Sequence, residues 1–236
     1  MSLLQQVWQW FGDPANREGS DGFFTRLAEH LHLSAESVLI GALIALPVGI
    51  ALGHYGRFGN LAINISNAGR AVPSFAVLVI AFQAFGLGDG PIVLALTLLA
   101  IPPMVTNSYV ALREVDPDVK EAARGMGYRE LAQVLQIELP LAVPLIMAGI
   151  RTSAVQVVAT ATLAAEVAGG GLGRFIVDGL ARNDYPQLVA GAVLVAALAL
   201  ATEFTLAGVE RLLVPRGLRH RLVSPVTRRV LVTKAA

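Results

Sequence analysis

The sequence predicts an all-α, polytopic membrane protein with five transmembrane helices. Of its 236 residues, 55% are hydrophobic and 15% are charged, whereas roughly a quarter of the residues in an ordinary soluble domain are charged. Aromatic residues make up only 6% of the chain and glycine contributes 23 residues. The apolar content is therefore mostly small and aliphatic, which suits helices that pack closely in lipid. The apolar residues also fall into five long runs with few charges.

Each run is close to the ~20 apolar residues that a helix needs to cross a bilayer. The runs are 37–53, 71–88, 90–112, 139–165 and 185–202. The first extends backward to about Leu33, the fourth is interrupted only by Arg151, and the fifth continues past Glu203. A glycine-rich turn at 86–91 joins the second run to the third.

The basic residues lie mostly on one side of the predicted bundle. The segments after runs one, three and five hold thirteen Lys and Arg residues, and the opposite side holds four. Since cytoplasmic loops carry the excess of positive charge, the C-terminus is predicted to be cytoplasmic. Five crossings then place the N-terminus outside.

These boundaries divide the chain into three parts. Residues 1–32 are predicted to be an external amphipathic segment, whose two Trp side chains suit the head-group level of a bilayer. Residues 33–217 form the transmembrane domain, with a cytoplasmic loop at 116–140, and residues 218–236 form a basic cytoplasmic tail. A net charge of +1 gives no reason to expect nucleic acid, and the lack of Cys excludes disulfide and thiolate chemistry.

The loop at 116–140 is a charged, helix-prone island between two apolar runs. A proline flanked by two aspartates at 116–118 predicts a helix start. The helix should break near Gly127 and be followed by an amphipathic stretch at 128–139, before Pro140 kinks the chain into the fourth run. The residues expected on one side of that stretch are Leu131, Val134, Leu135 and Glu138.

Within this island the sequence resembles the EAA loop of ABC-importer permeases. The family pattern is Glu-Ala-Ala, three residues, Gly, nine residues, Ile, one residue and Leu-Pro, and every spacing matches. The matching residues, called the coupling motif below, are Glu121, Ala122, Ala123, Gly127, Ile137, Leu139 and Pro140. The resemblance implies the type I ABC-importer permease core, and it implies that these residues couple the membrane helices to a separate ATPase.

The resemblance also implies a set of partners in a bacterial cytoplasmic membrane. They are an ATP-binding cassette subunit that holds ATP and Mg, an extracytoplasmic substrate-binding protein, and a second permease copy in a homodimer or heterodimer. No cofactor is expected in this chain. It is expected to be a transport subunit and not an enzyme.

Four shorter matches are similar to the osmoprotectant branch of this family, which imports glycine betaine, choline, carnitine or proline betaine. They are Arg70-Ala-Val-Pro-Ser, Ile101-Pro-Pro, Asp116-Pro and the stretch 159–180. Methionine-type permeases share some of them. A permease for another small solute, such as an amino acid or a sulfur-containing betaine, is therefore the alternative.

Five residues are candidates for the transport pathway. Phe75, Phe82 and Tyr109 could stack on a quaternary ammonium group, although aromatic side chains in membrane helices also serve simply as packing. Arg151 in the fourth run needs a partner or an interior position, so it has either a structural role or a pathway role. Glu166 is either a boundary residue or an attractor of cations at the outer mouth.

Other candidate sites lack parts that their chemistry requires. The glycines at 169–173 are not followed by the Lys of a phosphate-binding loop, so they are interpreted as a turn at the outer mouth. His30 and His32 have no evident third ligand, and no metal site is predicted. A five-helix secondary carrier would need carboxylates near the membrane midplane, and a membrane enzyme would need catalytic groups, which the runs do not provide.

Overall fold

The computed structural model describes residues 2–56, 59–167 and 169–215, and within these ranges the regular structure is entirely helical. The predicted tail at 218–236 lies outside the described residues. The helices are α1 (Leu3–Gly12), α2 (Phe23–Tyr55), α3 (Gly59–Ala71), α4 (Ser74–Phe85), α5 (Asp89–Arg113), α6 (Pro117–Gly125), α7 (Glu130–Gln133), α8 (Leu139–Ala161), α9 (Gly173–Ala181) and α10 (Tyr185–Leu213). A π-helical turn (Val134–Glu138) joins α7 to α8, and a 3₁₀ turn (Thr162–Val167) follows α8.

Helix α5 is the centre of the bundle, and α2 packs along it through a stripe of small residues. Gly41, Ala45, Gly49 and Gly53 recur every four residues on the buried face of α2. A Cβ atom added to Gly49 would lie 2.7 Å from the Cβ of Ser108 on α5. The stripe thus lets the two backbones approach closely, as small residues do between membrane helices.

Helix α8 packs against another side of α5, again through a small residue. A Cβ atom added to Gly149 would lie 2.6 Å from the Cβ of Asn107. Nearby, the buried hydroxyl of Ser153 donates a 2.8 Å hydrogen bond to the carbonyl of Ala100. Helix α10 packs on α8 and α9, so it lies at the periphery of the chain.

The predicted count of five full-length spans is wrong. Among the described residues, four helical segments are long and apolar enough to cross a membrane: Phe23–Tyr55, Asp89–Arg113, Glu130–Val167 and Tyr185–Leu213. In place of the predicted second span, the structure has α4, whose 12 residues reach about 18 Å against the ~30 Å of a bilayer core. Pro73 separates α4 from α3, because the residue before a proline is forced away from helical geometry.

The polar helix α3, which hydropathy alone does not reveal, lies beside α5. An added Cβ atom at Gly59 would overlap the hydroxyl of Tyr109, and one at Gly69 would lie 3.3 Å from Pro102. Beyond this point, Leu78 of α4 is buried in the core cluster that α5 supplies. Helices α3 and α4 therefore follow α5 in succession, antiparallel to it.

The N-terminal region is more helical than the sequence suggests. Helix α2 begins at Phe23, so the predicted boundary at residue 33 falls inside a continuous helix. Before it, α1 is closed at its start by Ser2, whose side chain accepts a hydrogen bond from the Gln5 backbone. Trp10 of α1 makes an edge contact with Phe175 of α9, with ring centroids 5.2 Å apart.

Candidate functional site

The first half of the coupling motif lies on α6, which starts where the sequence predicts. Pro117 takes the first helical position, and a side-chain oxygen of Asp116 accepts a 2.9 Å hydrogen bond from the backbone N–H of Asp118. A helix start leaves backbone N–H groups without a partner. The Asp116 side chain satisfies one of these groups, and Pro117 has no N–H to satisfy. Ala123 is buried against the bundle, while Glu121 and Ala122 are exposed.

Gly127 ends α6 with a left-handed backbone. Its φ is +83°, a conformation that costs other residues roughly 1–2 kcal/mol. The N–H of Gly127 donates to the carbonyl of Arg124 and the N–H of Tyr128 donates to that of Ala123, which is the hydrogen-bond pattern of a Schellman cap. No atom of the described residues lies within 4 Å of the position that a Gly127 side chain would take, so the backbone explains this glycine.

The second half of the motif belongs to one helical segment without a break. The π-helical turn at Val134–Glu138 comes directly before Pro140, which has no N–H with which to continue the regular ladder. The predicted kink thus takes the form of an irregular turn inside a continuous helix. Ile137, Leu139 and Pro140 are half-buried.

The four residues expected on one side of this stretch do not share one face of the helix. Leu131 and Leu135 are 70% and 56% exposed, whereas Glu138 is fully buried and Val134 is half-buried. The π-helical turn has i→i+5 bonds in place of i→i+4, so it rotates Glu138 away from the face that carries the leucines. The two leucines therefore face outward, and Glu138 faces inward.

A buried polar cluster joins this inward face to the end of α2. His54 lies between two carboxylates: its Nδ1 is 2.9 Å from Glu138 Oε1 and its Nε2 is 2.6 Å from Glu130 Oε2. Gln133 Nε2 donates a 2.7 Å hydrogen bond to Glu138 Oε1. The side chain of His54 is only 4% exposed. We call these residues, with Lys120, the loop cluster.

Lys120 connects the cluster to α5 and α6. Its ammonium group donates a 2.6 Å hydrogen bond to the carbonyl of Leu112 and lies 3.8 Å from Glu138 Oε2. Burial lowers the pKa of Lys120 from its ordinary value, although the attraction of Glu138 opposes this shift. Lys120 directly precedes the coupling motif in the chain, and Glu138 lies between its residues Ile137 and Leu139, so the cluster holds the motif near both ends.

Four apolar side chains of the same region are exposed. The helical segment 130–167 has 38 residues and is roughly 57 Å long, so one end extends beyond a ~30 Å bilayer core. The charged α6 adjoins the end that carries Leu131. The four exposed residues, called the loop patch below, are Val119, Met126, Leu131 and Leu135.

The pathway candidates do not form one site. Tyr109 and Glu166 lie toward opposite ends of α5, because Tyr109 covers Gly59 while the loop after Glu166 meets Ile92 at Gly169. Phe82 packs against the apolar core, and Phe75 is exposed on the same helix, α4. Glu166 is exposed. These placements leave their pathway roles as predictions.

Arg151 has carboxylate partners that sequence reasoning did not assign. It donates hydrogen bonds to Glu203 and, at 2.6 Å, to Glu210. Both glutamates lie on α10, about two helical turns apart, so the guanidinium ties α8 to α10. This geometry favours the structural alternative for Arg151.

The glycine-rich turn at 169–173 is held by two side chains of α2. Glu29 Oε2 accepts a 2.8 Å hydrogen bond from Gly171 N, and His30 Nδ1 accepts from Leu172 N at 3.3 Å. His30 Nε2 lies 2.9 Å from the carbonyl of Val158, so a neutral imidazole satisfies both contacts. In the part of the chain that the structure describes, no three potential ligands come together as a metal site.

The chain was compared with known protein families and individual proteins. Residues 38–217 match the family described as "Binding-protein-dependent transport system inner membrane component". The glycine betaine/carnitine/choline transport system permease protein OpuCB of Bacillus subtilis is 35% identical over 194 residues, which cover 82% of this chain and 89% of that protein. The osmoprotectant import permease protein OsmY of Salmonella typhimurium is 36% identical, with coverage of 79% and 80%.

Another permease and one solved structure are also similar to this chain. The carnitine transport permease protein OpuCB of Listeria monocytogenes is 36% identical over 204 residues, which cover 86% of this chain and 94% of that protein. Among solved structures, an inward-facing MetNI methionine ABC transporter matches with a TM-score of 0.70 and 21% identity. The match covers 90% of this chain and 96% of that one. At this identity the match shows a shared fold.

Proposed function

Since the chain belongs to the family of inner membrane components of binding-protein-dependent transport systems, and is therefore a permease subunit of an importer, we propose that it imports osmoprotectants at the expense of ATP. The substrates would be small quaternary ammonium compounds such as glycine betaine, choline, carnitine or proline betaine. ATP hydrolysis would take place in a separate subunit.

One observation carries the coupling part of this proposal. The coupling motif presents Glu121 and Ala122 to solvent beside the exposed loop patch, while the loop cluster fastens the other side of the same loop to the bundle. A surface that is open outward and anchored inward can transmit force from a docked protein. We therefore assign the patch and the exposed motif residues to contact with an ATP-binding cassette subunit.

The path from this surface to the membrane helices is short. The loop continues without a break through the π-helical turn and Pro140 into α8. Movement of a docked ATPase would move α8 directly, and through Arg151 it would also move α10. The chain would thereby alternate between inward and outward opening.

The proposed topology keeps the N-terminus outside and the C-terminus in the cytoplasm. It requires five crossings, four of which are continuous helices in the described residues. The remaining crossing would be made by α3 and α4 together, because they follow α5 in succession on either side of Pro73. The outer side would then meet a substrate-binding protein, and a second permease copy would complete the pathway.

The choice of substrate rests on the relatives. The three cited relatives, each at least 35% identical, carry names that refer to betaine, carnitine, choline or osmoprotectant transport. The methionine transporter shares the fold at 21% identity, which does not favour methionine for this chain. Another small solute, such as an amino acid or a sulfur-containing betaine, is the alternative that the test below addresses.

The test is reconstitution with an ATP-binding cassette subunit and a substrate-binding protein from the same organism. The complex in lipid nanodiscs is assayed for ATP hydrolysis with binding protein loaded with glycine betaine, choline, carnitine or methionine. We expect stimulation by a quaternary ammonium compound and none by methionine. Stimulation by methionine alone would overturn the substrate, and failure of the ATPase to co-purify would overturn the coupling role.

Two variants with opposite expectations make the test specific. Glu121→Arg reverses the charge of an exposed residue that makes no described contact within the chain, so the variant should fold and insert but lose stimulated hydrolysis. Glu18→Arg, an equally exposed change near the N-terminus, is the matched control and should keep it. Equal stimulated hydrolysis by both variants would contradict the assignment of the coupling motif to contact with the ATPase.

A further inference from the structure

The end of α2 is built into the coupling loop through one histidine. His54 lies in the last turn of α2, 84 residues away in the chain from Glu138. Its two ring nitrogens both face carboxylate oxygens, at 2.9 Å for Glu138 and 2.6 Å for Glu130. No hydroxyl or carbonyl intervenes in either contact.

This arrangement specifies the protonation of the ring. A neutral imidazole carries one N–H donor and one lone pair, and an ionised carboxylate only accepts hydrogen bonds. With a neutral ring, one carboxylate would therefore face a lone pair at hydrogen-bond distance. Both contacts are favourable only when His54 is an imidazolium. His30 is the contrast within the same helix, because its nitrogens face one carbonyl and one backbone N–H.

A protonated His54 also balances the charges within the loop cluster itself. The loop cluster has two carboxylates, Glu130 and Glu138, and one other basic group, Lys120, at 3.8 Å from Glu138. A protonated His54 makes two positive charges against two negative ones. Glu138 is fully buried, and a buried charge is costly unless it is paired and hydrogen-bonded.

Further groups border the cluster. Arg113 lies against Gly56 at the end of α2, and Arg124 interacts electrostatically with both Lys120 and Glu130. The ring of Tyr55 makes an edge contact with that of His54, with centroids 5.0 Å apart. None of these groups lies between the imidazole and its two carboxylates.

We propose that His54 is a positioning residue which, as an imidazolium clamped between Glu138 and Glu130, keeps the coupling loop in register with the end of α2. The clamp rests on the proposed function, since its effect is to transmit ATPase movement. When His54 loses its proton, one of the two contacts becomes repulsive and the loop loses its second attachment to the bundle. Coupling therefore depends on both of these contacts being favourable.

Glu130→Gln is the decisive variant. The side-chain amide of the new glutamine can donate to a lone pair on His54 Nε2, while Nδ1–H donates to Glu138. A neutral imidazole then satisfies both contacts, so the clamp no longer needs the extra proton. Because Glu130 is exposed and the change is isosteric, the variant should fold. Glu114→Gln, an exposed carboxylate at the end of α5, is the matched control.

The first readout is stimulated ATP hydrolysis by the complex in nanodiscs, measured from about pH 6 to pH 9 because histidine is the side chain that most often changes charge near neutral pH. For the unsubstituted chain we expect a fall of roughly tenfold, the effect of losing one charge-assisted hydrogen bond. The fall should be the same in Glu114→Gln and largely absent in Glu130→Gln. An identical fall in Glu130→Gln would overturn the clamp.

The second readout does not depend on activity. The chain is labelled with ¹⁵N-histidine, and His54→Gln identifies the His54 signals among those of the four histidines. We expect both ring nitrogens of His54 to be protonated at pH 7, in contrast to His30. A neutral His54 at that pH would overturn the inference even if the complex hydrolyses ATP. Absence of the ATPase from the complex, with an imidazolium at His54, would instead overturn the proposed function.

Discussion

The backbone N–H of Gly171 donates a hydrogen bond to the carboxylate of Glu29, 142 residues earlier in the chain. This contact fastens the glycine-rich turn to α2, and His30 repeats it one residue further on. The turn therefore has a defined position at the end of the bundle opposite the coupling loop.

This contact predicts a local effect of Glu29→Ala. The substitution removes the acceptor for Gly171 N, so the turn should open more often. Hydrogen exchange followed by mass spectrometry should show faster exchange in peptides that contain Gly171 and Leu172. Glu36→Ala is the control, because Glu36 lies on the same helix and its contact within the described residues is an exposed one with His32 at 3.6 Å. Unchanged exchange in Glu29→Ala would contradict the attachment of the turn to α2 through Glu29.

The cap of α6 predicts that Gly127→Ala and Gly125→Ala differ. Both positions have open space for a Cβ atom, but only Gly127 has a positive φ. Gly127→Ala should cost about 1 kcal/mol and reduce stimulated ATP hydrolysis, whereas Gly125→Ala should leave the helix as stable or more so. Thermal unfolding and hydrolysis of the two variants measure this, and similar losses in both would exclude the backbone explanation.

The contact between α2 and α5 predicts sensitivity to a single methyl group. Gly49→Ala would place its Cβ 2.7 Å from that of Ser108, and we expect a loss of about 1–3 kcal/mol, typical of overpacking. Gly208→Ala on α10 meets no atom within 4 Å and should be neutral. The melting temperatures of the two variants in detergent provide the comparison. A neutral Gly49→Ala would show that the helices do not pack as described.

The ion pairs of Arg151 predict an ordering among variants. Arg151→Met leaves Glu203 and Glu210 without their described cation, and it should lower the melting temperature more than Glu203→Gln does. Arg182→Met, at an exposed arginine after α9, should have little effect. If Arg151→Met kept its stability but lost all transport, the pathway role would replace the structural one.

Several features were accessible from the sequence because they depend on neighbours in the chain. The start of α6 follows from Asp116 and Pro117, which act on adjacent backbone N–H groups. The break at Gly127 follows from the conformational freedom of glycine. Four long apolar runs gave four continuous spans because length and composition are sufficient to recognise them.

Other features were missed for physical reasons that can be named. The second apolar run counts as 18 residues, but Pro73 confines its helix to Ser74–Phe85. Helix α3 is too polar to be read as part of a crossing, and its place beside α5 depends on Gly59 and Gly69. Leu135 and Glu138 were expected on one face because a regular helix was assumed, and the π-helical turn separated them.

The sequence by itself determined the class of the protein, its long apolar helices and the position of its coupling motif, because composition, period and spacing are properties of the chain. Only the tertiary structure decided which charges meet. His54 and Glu138 are 84 residues apart, and Arg151 and Glu203 are 52 apart. No local pattern links such residues, since an ionised side chain in a membrane protein must find its partner wherever the packing of the helices brings an opposite charge.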